Sequence, residues 1–455
     1  MKIKVSDIVK ATGGSLITGS PDTVVSSFFT DSRNAAENGM FVPMFGDKVD
    51  SHRFIKDVLN TPDTSSFTMI DLTENIDYST SQSQAIVRVP DTLLALQQSA
   101  AYYRDQFDIP IIGVTGSVGK TSAKEMIALA LSPMLNTLKT SGNRNSQTGV
   151  PLTICRLEKE HGAAVVEMGI SMPGEMERLA KVVKPNFAVV TNIGTSHIEF
   201  LKTRENIMAE KLHIADFLSD KGILFVNGDD NLLASLKRPG LVSFGVSEHC
   251  DFRGTSITQS PAGTQFICEY PGGKLSVSLP VLGIHNVRNA LVSLAAAYSL
   301  GADIELAAKE LAVYSPPAMR QQVLHLKNDI TLIDDSYNAS PESMHGALDI
   351  LSSISGNSRS IAVLGDMLEL GRRSETSHFE IGEYAFKTGV SQLFAVGNFA
   401  EDMCKGFGSN CICLPDANTA ADSVISFIKP GDTVLVKASR GVGLDKLSRH
   451  LIDIY

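Results

Sequence analysis

Nine consecutive residues, Gly113-Val114-Thr115-Gly116-Ser117-Val118-Gly119-Lys120-Thr121, carry the densest chemical signal in the chain. Glycines let a loop turn its backbone N–H groups toward one point. A lysine adds a compact positive charge, and a threonine hydroxyl suits a hard cation. Together such groups bind nucleotide phosphates. Thr115, Gly116, Ser117, Val118, Gly119, Lys120 and Thr121 are therefore the candidate nucleotide set, with Lys120 against the β and γ phosphates and Thr121 toward Mg2+. The spacing departs from the general phosphate loop, in which four residues separate the first glycine from Gly-Lys. Here Gly113 is followed by five residues and Gly116 by two.

Other residue types read ambiguously by themselves. Glu167 ends an apolar run and is either a Mg2+ ligand beside the phosphate loop or an exposed strand-end acid. His197 follows another such run, and Lys211 lies in an ordinary polar helix pattern, where it reads as a surface cation. Asn286 and Asn289 are three apart and share a helix face, although Asn286 could equally cap that helix. Asp31-Ser32-Arg33 alone is a turn.

A phosphate loop works between a buried strand and a helix. Ile109-Pro110-Ile111-Ile112 precedes it, and residues 122–131 repeat apolar positions at helical spacing. Apolar runs at 109–114, 163–168, 187–191 and 223–226 alternate little, as strands buried on both faces of a parallel sheet do. Residues 242–282 change pattern, and their turn Tyr270-Pro271-Gly272-Gly273 predicts an antiparallel insertion before an apolar helix over 286–300. Pro316-Pro317 resists both helix and sheet and reads as a hinge. A second set of strands is expected beyond it, over 331–334, 360–364, 393–396 and 433–437.

Ahead of the loop, residues 1–84 read as a small mixed unit, with strands over 24–29 and 40–43, a helix over 52–59 and a polar closing stretch at 71–84. Residues 85–107 form a link, with a helix over 91–107. The expected fold is α/β in three domains. These are a small mixed α/β unit (1–84), a central P-loop domain with a parallel sheet and β insertion (85–315), and a Rossmann-like C-terminal domain (316–455).

The composition of the 455 residues, 43% hydrophobic and 20% charged, is that of a globular protein. A net charge of −10 argues against nucleic acid or an anionic membrane as partner. No apolar stretch approaches the roughly 20 residues of a membrane span, and the start lacks an apolar signal core. The six cysteines, at 155, 250, 268, 404, 411 and 413, form no C-x-x-C pair, and Cys411-x-Cys413 is a poor metal spacing. They are expected to be reduced thiols in a cytoplasmic monomer that acts on small molecules.

The T-G-x-x-G-K-T loop resembles that of the Mur ligase family, which includes peptidoglycan amino-acid ligases and folylpolyglutamate synthase. Further matches extend the resemblance over most of the chain: Glu167-Met168-Gly169, Thr191-Asn192-Ile193…His197, Lys211, His285-Asn286…Asn289, Arg320 and Asp334-Asp335-Ser336-Tyr337-Asn338. The last run, with Gly365-Asp366-Met367-Leu368-Glu369-Leu370-Gly371 and His378, resembles the branch that adds D-alanyl-D-alanine to UDP-N-acetylmuramoyl-tripeptide. Departures are Ser340 for a usual Asn, Ala438 for a Gly in Lys437-Ala438-Ser439-Arg440, Ser146 for an Asn and Ser51 for a Gly.

The resemblance implies roles. Thr121 and Glu167 would hold one Mg2+, and His197 with a carbamylated Lys211 a second, so that Lys120, Glu167, His197 and Lys211 form the catalytic set. His285, Asn286, Asn289, Arg320, Asp335, Tyr337 and Asn338 would surround ATP. Thr30, Asp31, Ser32, Arg33, Asp50, His52, Asn143, Asn145, Lys437, Ser439 and Arg440 would bind substrate. Transfer of the γ-phosphoryl group to a peptide carboxylate replaces oxide, a poor leaving group, with phosphate, and the amine of the dipeptide then attacks. Other Mur-type ligases, folylpolyglutamate synthase and a nucleotide-controlled binding protein are the competing readings.

Overall fold

All five residues of the strand Ile111–Thr115 are buried, because neighbouring strands flank it and helices cover both faces. It lies inside a nine-stranded sheet, between Phe187–Val190 and Ala163–Glu167, with Thr137–Lys139 at the near edge. Beyond Phe187–Val190 follow Ile223–Asn227 and Leu241–Gly245, all parallel. The chain thus leaves the phosphate-loop strand toward one edge and later returns to its other side. Such a crossover opens a crevice at the carboxyl ends of the strands. The computed structural model describes residues 1–46, 49–69 and 83–455. The expected closing stretch at 71–84 therefore lies almost wholly outside the described residues.

The insertion is antiparallel as its turn predicts. Phe252–Ser260, Gly263–Tyr270 and Gly273–Leu279 form a meander, and it extends the central sheet rather than standing apart. Helices Lys120–Leu131 and Ile284–Ser299 pack together on one face of that sheet. Small buried residues, Ala123 and Ala130 on one and Ala290 and Ala297 on the other, allow their close approach. Thr92–Arg104 and Glu175–Val183 cover the opposite face.

The C-terminal sheet runs Gln322–His325, Thr331–Asp334, Thr433–Lys437, Ser360–Gly365, Gln392–Val396, Cys411–Leu414. Its first strand is antiparallel and the rest are parallel. The sequence reading missed both edge strands, which are half exposed and lack a long apolar run.

The N-terminal sheet holds Ser15–Thr18, Ile86–Val89, Ser65–Met69, Gly39–Phe41 and Ser27–Phe29. Ile86–Val89 lies past the expected limit of 84 and pairs with Ser65–Met69, so this sheet takes in chain assigned to the link. The expected helix over 52–59 is a 3-10 turn, Ser51–Phe54, followed by one α turn, Ile55–Val58.

One expectation fails outright. The cysteines are not all reduced: Cys404 and Cys411 are joined by a disulfide. Their separation of seven residues hides the pairing in the sequence, but helix Ala400–Phe407 packs on strand Cys411–Leu414 and brings the two Cα atoms to 5.2 Å. Cys413, two residues along the same strand face, lies with its sulfur 2.7 Å from that of Cys404. Among the described residues, no helix is long and apolar enough to cross a membrane.

Candidate active site

The phosphate loop turns where only glycine fits. Gly116 has φ +147°, and a Cβ there would meet the Thr191 hydroxyl at 1.9 Å. Asn192 takes up part of the cradle, because its carbonyl accepts the Ser117 N–H and its side-chain oxygen accepts the Val118 N–H. The first turn of Lys120–Leu131 is left to meet an anion. Lys120 Nζ folds back to donate to the carbonyls of Gly116 (2.8 Å) and Ser117 (3.3 Å). Burial holds its pKa below the usual lysine range, with Glu167 opposing the shift and Arg320 adding to it. Thr115 is wholly buried behind the loop and does not reach the cavity.

Glu167 stands at the carboxyl end of its strand and is 1% exposed, which removes the exposed-acid reading. Its Oε1 accepts from the Thr121 hydroxyl (3.1 Å) and the Asn145 amide (2.7 Å). Its Oε2 is buried without a hydrogen-bond partner. Lys124, fully buried, lies 3.7 Å from Oε2 and donates to the Thr140 carbonyl at 2.8 Å. The sequence reading passed over Lys124. Its position, four residues after Lys120 and three after Thr121, puts it on the face that carries the phosphate-binding groups.

Lys120, Thr121, Asn145 and Glu167 line a cavity of about 550 Å3 that the C-terminal domain closes with Arg320, Asp335, Tyr337, Asn338 and Lys437. Arg320 lies over the Tyr337 ring, 4.1 Å from its centroid. Lys437 donates to Asp335 (2.6 Å) and to the Asn338 carbonyl (2.9 Å). Of the two acids, Asp334 is committed to the Ser336 and Ser448 hydroxyls, and Asp335 faces the cavity. Gln321, unremarked in the sequence, ties the walls together: its N–H donates to Asp335, and its side-chain oxygen lies 2.6 Å from His285 Nε2.

His197 lines the same cavity and has a left-handed backbone, φ +63°. Lys211 is 1% exposed and lies outside the cavity lining, so the surface-cation reading fails. Burial drives its pKa well below the usual lysine value, and the charge of Lys120 pushes the same way. The neighbouring Glu210 has a structural task, accepting the N–H groups of Gly174 and Met176 at the start of Glu175–Val183.

An adjoining cavity of about 600 Å3 takes in His285 and Asn289. Asn286 is turned away and donates to the Leu282 carbonyl, so it lines neither of these two cavities and does not cap the helix, whose N-cap is Gly283. A third space, about 290 Å3, is bounded by His197, Tyr337, Leu368, Glu369, Ser439 and Arg440.

The sequence departures find local reasons. Ser340 caps helix Pro341–Ser355 with Ser343, and Ser51 bonds the Met44 backbone. The Ser146 hydroxyl accepts the Gly149 N–H. Ala438 is buried and is not among the positive-φ residues, so the loop carries no strain for want of glycine.

The N-terminal candidates divide. Thr30 and Asp31 line a cavity of about 770 Å3 shared with Arg144, Arg156 and His161 of the central domain. Ser32 and Arg33 lie outside its lining, and Arg33 pairs with Asp31 at 2.6 Å. Asp50 accepts the His52 N–H, and His52 Nδ1 lies 2.6 Å from it, so both stabilise a turn away from the cavity. Asn143 is exposed, and of the 140–151 segment's candidates only Asn145 reaches the nucleotide cavity.

Residues 114–297 match the Mur ligase middle domain, and 319–440 match the Mur ligase, glutamate ligase domain. The chain belongs to the Mur ligase family. It is 34% identical to the UDP-N-acetylmuramoyl-tripeptide–D-alanyl-D-alanine ligase of Bacillus subtilis, with 95% of this chain and 94% of that protein covered. A MurF crystal structure from Acinetobacter baumannii superposes with a TM-score of 0.91 at 31% identity, covering 100% of this Mur ligase and 99% of that chain. A MurF ligase from Thermotoga maritima, solved in complex with ADP, gives 0.83 at 28% identity and covers 94% and 97%.

Proposed function

We propose that this Mur ligase is an ATP-dependent ligase that joins D-alanyl-D-alanine to UDP-N-acetylmuramoyl-tripeptide and releases ADP and phosphate, in the synthesis of the peptidoglycan precursor. The observation that carries the reading is the 550 Å3 cavity, where Lys120, Thr121 and Glu167 face Arg320, Asp335 and Lys437 across a domain junction. ATP fits there with its phosphates on the first turn of Lys120–Leu131. Lys120 and Arg320 offset charge on the phosphoryl group in transfer. Similarity to the ADP-bound MurF ligase over 94% of this chain supports the assignment.

Two divalent cations suit the donors. Glu167 Oε2, which accepts no hydrogen bond, and the Thr121 hydroxyl form one position, and His197 with Lys211 the other. A buried lysine of low pKa favours the neutral amine, which can add to CO2, give up a proton and become a carbamate anion. Bound Mg2+ supplies charge neutralisation on the phosphates.

The 770 Å3 cavity, with Arg144, Arg156 and His161, suits an anionic sugar nucleotide. The 290 Å3 space suits a small zwitterionic dipeptide, with Arg440 and Ser439 for its carboxylate and Leu368 and Ala339 for its methyl groups. Phosphate release measured with ATP, UDP-N-acetylmuramoyl-tripeptide and D-alanyl-D-alanine, omitting each in turn, tests the reading. Release should require all three. Release without the dipeptide, or with glutamate in its place, would return the protein to another branch of the family. Nucleotide binding without turnover would favour a nucleotide-controlled binding protein.

A further inference from the structure

Residues 195–199 of the central domain are gripped from the C-terminal domain at three points. Glu342 Oε1 accepts hydrogen bonds from the Thr195 N–H (2.7 Å) and the Thr195 hydroxyl (3.0 Å). The Glu369 carbonyl accepts the Glu199 N–H (3.1 Å), and the Glu369 carboxylate stands 2.5 Å from His197 Nδ1. Gly194 permits the approach, because a Cβ there would lie 2.7 Å from the Glu342 carboxylate.

The Glu369 side chain is 42% exposed, and its backbone is what holds it in place. Its backbone is left-handed, φ +62°, in a loop fastened on every side. The Met367 N–H donates to His378 Nε2, and the Leu368 N–H donates to Ser439 Oγ. The Asp366 carboxylate accepts the N–H groups of Asn398 and Phe399. The loop therefore delivers one carboxylate to one ring, and it does so from the opposite domain.

We propose that Glu369 is a positioning residue for His197, through which docking of the C-terminal domain completes the second cation position. The proposal rests on the two-cation reading above. A histidine that coordinates through one ring nitrogen is oriented by a carboxylate on the other. Here the Glu369 carboxylate stands beside Nδ1, which has no other hydrogen-bond partner, and Nε2 is left to coordinate. The two positions then differ in kind. Thr121 and Glu167 keep each other in place within the central domain, whereas His197 loses its partner whenever the C-terminal domain swings away. The first cation can bind to the open enzyme, and the second is retained on closure.

The test is Mn2+ titration followed by electron paramagnetic resonance, with ADP present, on wild type, Glu369→Ala, Glu369→Gln, His197→Ala and the Glu369→Ala/His197→Ala double variant. Wild type should bind two Mn2+. Glu369→Ala should weaken the second by about ten- to hundredfold and leave the first unchanged. Glu369→Gln keeps an acceptor oxygen for Nδ1 and should stay within a few-fold of wild type. The double variant should be no worse than His197→Ala. In turnover, Glu369→Ala should raise the Mg2+ concentration needed for half-maximal rate while the KM for ATP holds. An unchanged second Mn2+ in Glu369→Ala, or additive losses in the double variant, would overturn the proposal with the two-cation reading intact. A wild type that binds a single Mn2+ would overturn both.

Discussion

On the central-domain side of the nucleotide cavity, Thr121, Asn145 and Lys124 all approach Glu167 from within a single domain. On the C-terminal side, the carboxylates of Glu342 and Glu369 and the side chain of Gln321 find their partners across the cleft. The first wall is set when the central domain folds, because Glu167 ends a buried strand and Thr121 and Lys124 lie on the helix packed against it. The second is set by docking, so its contribution depends on how the domains stand. A phosphate site can thus exist before a complete ligase site does, as expected of an enzyme that closes around its reactants.

The hardest break falls on the preformed wall. Lys120→Ala removes the cation proposed to meet the transferring phosphoryl group, and kcat should fall about 10^3-fold with the fold retained. Stopped-flow phosphate release and circular dichroism check both halves. Lys124→Met should act on stability instead. It leaves the Thr140 carbonyl and Glu167 Oε2 buried without their cation, at a cost of about 3 kcal/mol. Urea unfolding reads this directly. A shift under 1 kcal/mol would mean that the Glu167 cluster relaxes freely and that the wall is less preformed than its geometry implies.

Lys211→Ala should lower kcat about 100-fold by removing one donor proposed for the second cation position. Short carboxylic acids should restore part of the rate, since they replace the missing anion, and no such rescue is expected for Lys120→Ala. Failure of rescue beside a near-normal rate would remove the carbamate. On the docked wall, Glu342→Gln replaces a charged acceptor of two hydrogen bonds with a neutral one, and about tenfold in kcat/KM is expected. The loss should appear with ATP saturating as well as limiting, because domain docking rather than nucleotide contact has been weakened.

The same contrast governs what the sequence discloses. The strands at 163–168 and 360–364 and the loop at 113–121 were legible because burial on both faces leaves a nearly unbroken apolar run and a phosphate cradle needs its glycines in order. Glu167 and Lys211 were visible only through family resemblance, since a lone acid or lysine carries no spacing signal. The Thr195–Glu342 and His197–Glu369 contacts were illegible because each joins residues more than 140 positions apart in the chain. The Cys404–Cys411 disulfide hid for the opposite reason. Its partners are close in sequence, and only the packing of one helix on one edge strand brings them together.

The smallest effect is expected farthest from both walls. Arg33 matches a family substrate motif, yet its side chain is 86% exposed and is paired with Asp31 just outside the 770 Å3 cavity. An ion pair so open to water is screened and loses little when broken. Arg33→Ala should therefore leave the melting temperature and the KM for the UDP substrate unchanged. Arg156→Ala, which strips a cation from the cavity lining, should raise that KM severalfold. The reverse order would mean that the sugar nucleotide approaches over the N-terminal turn. The division between a preformed central wall and docked neighbours would then have to take in the N-terminal domain as a third moving part.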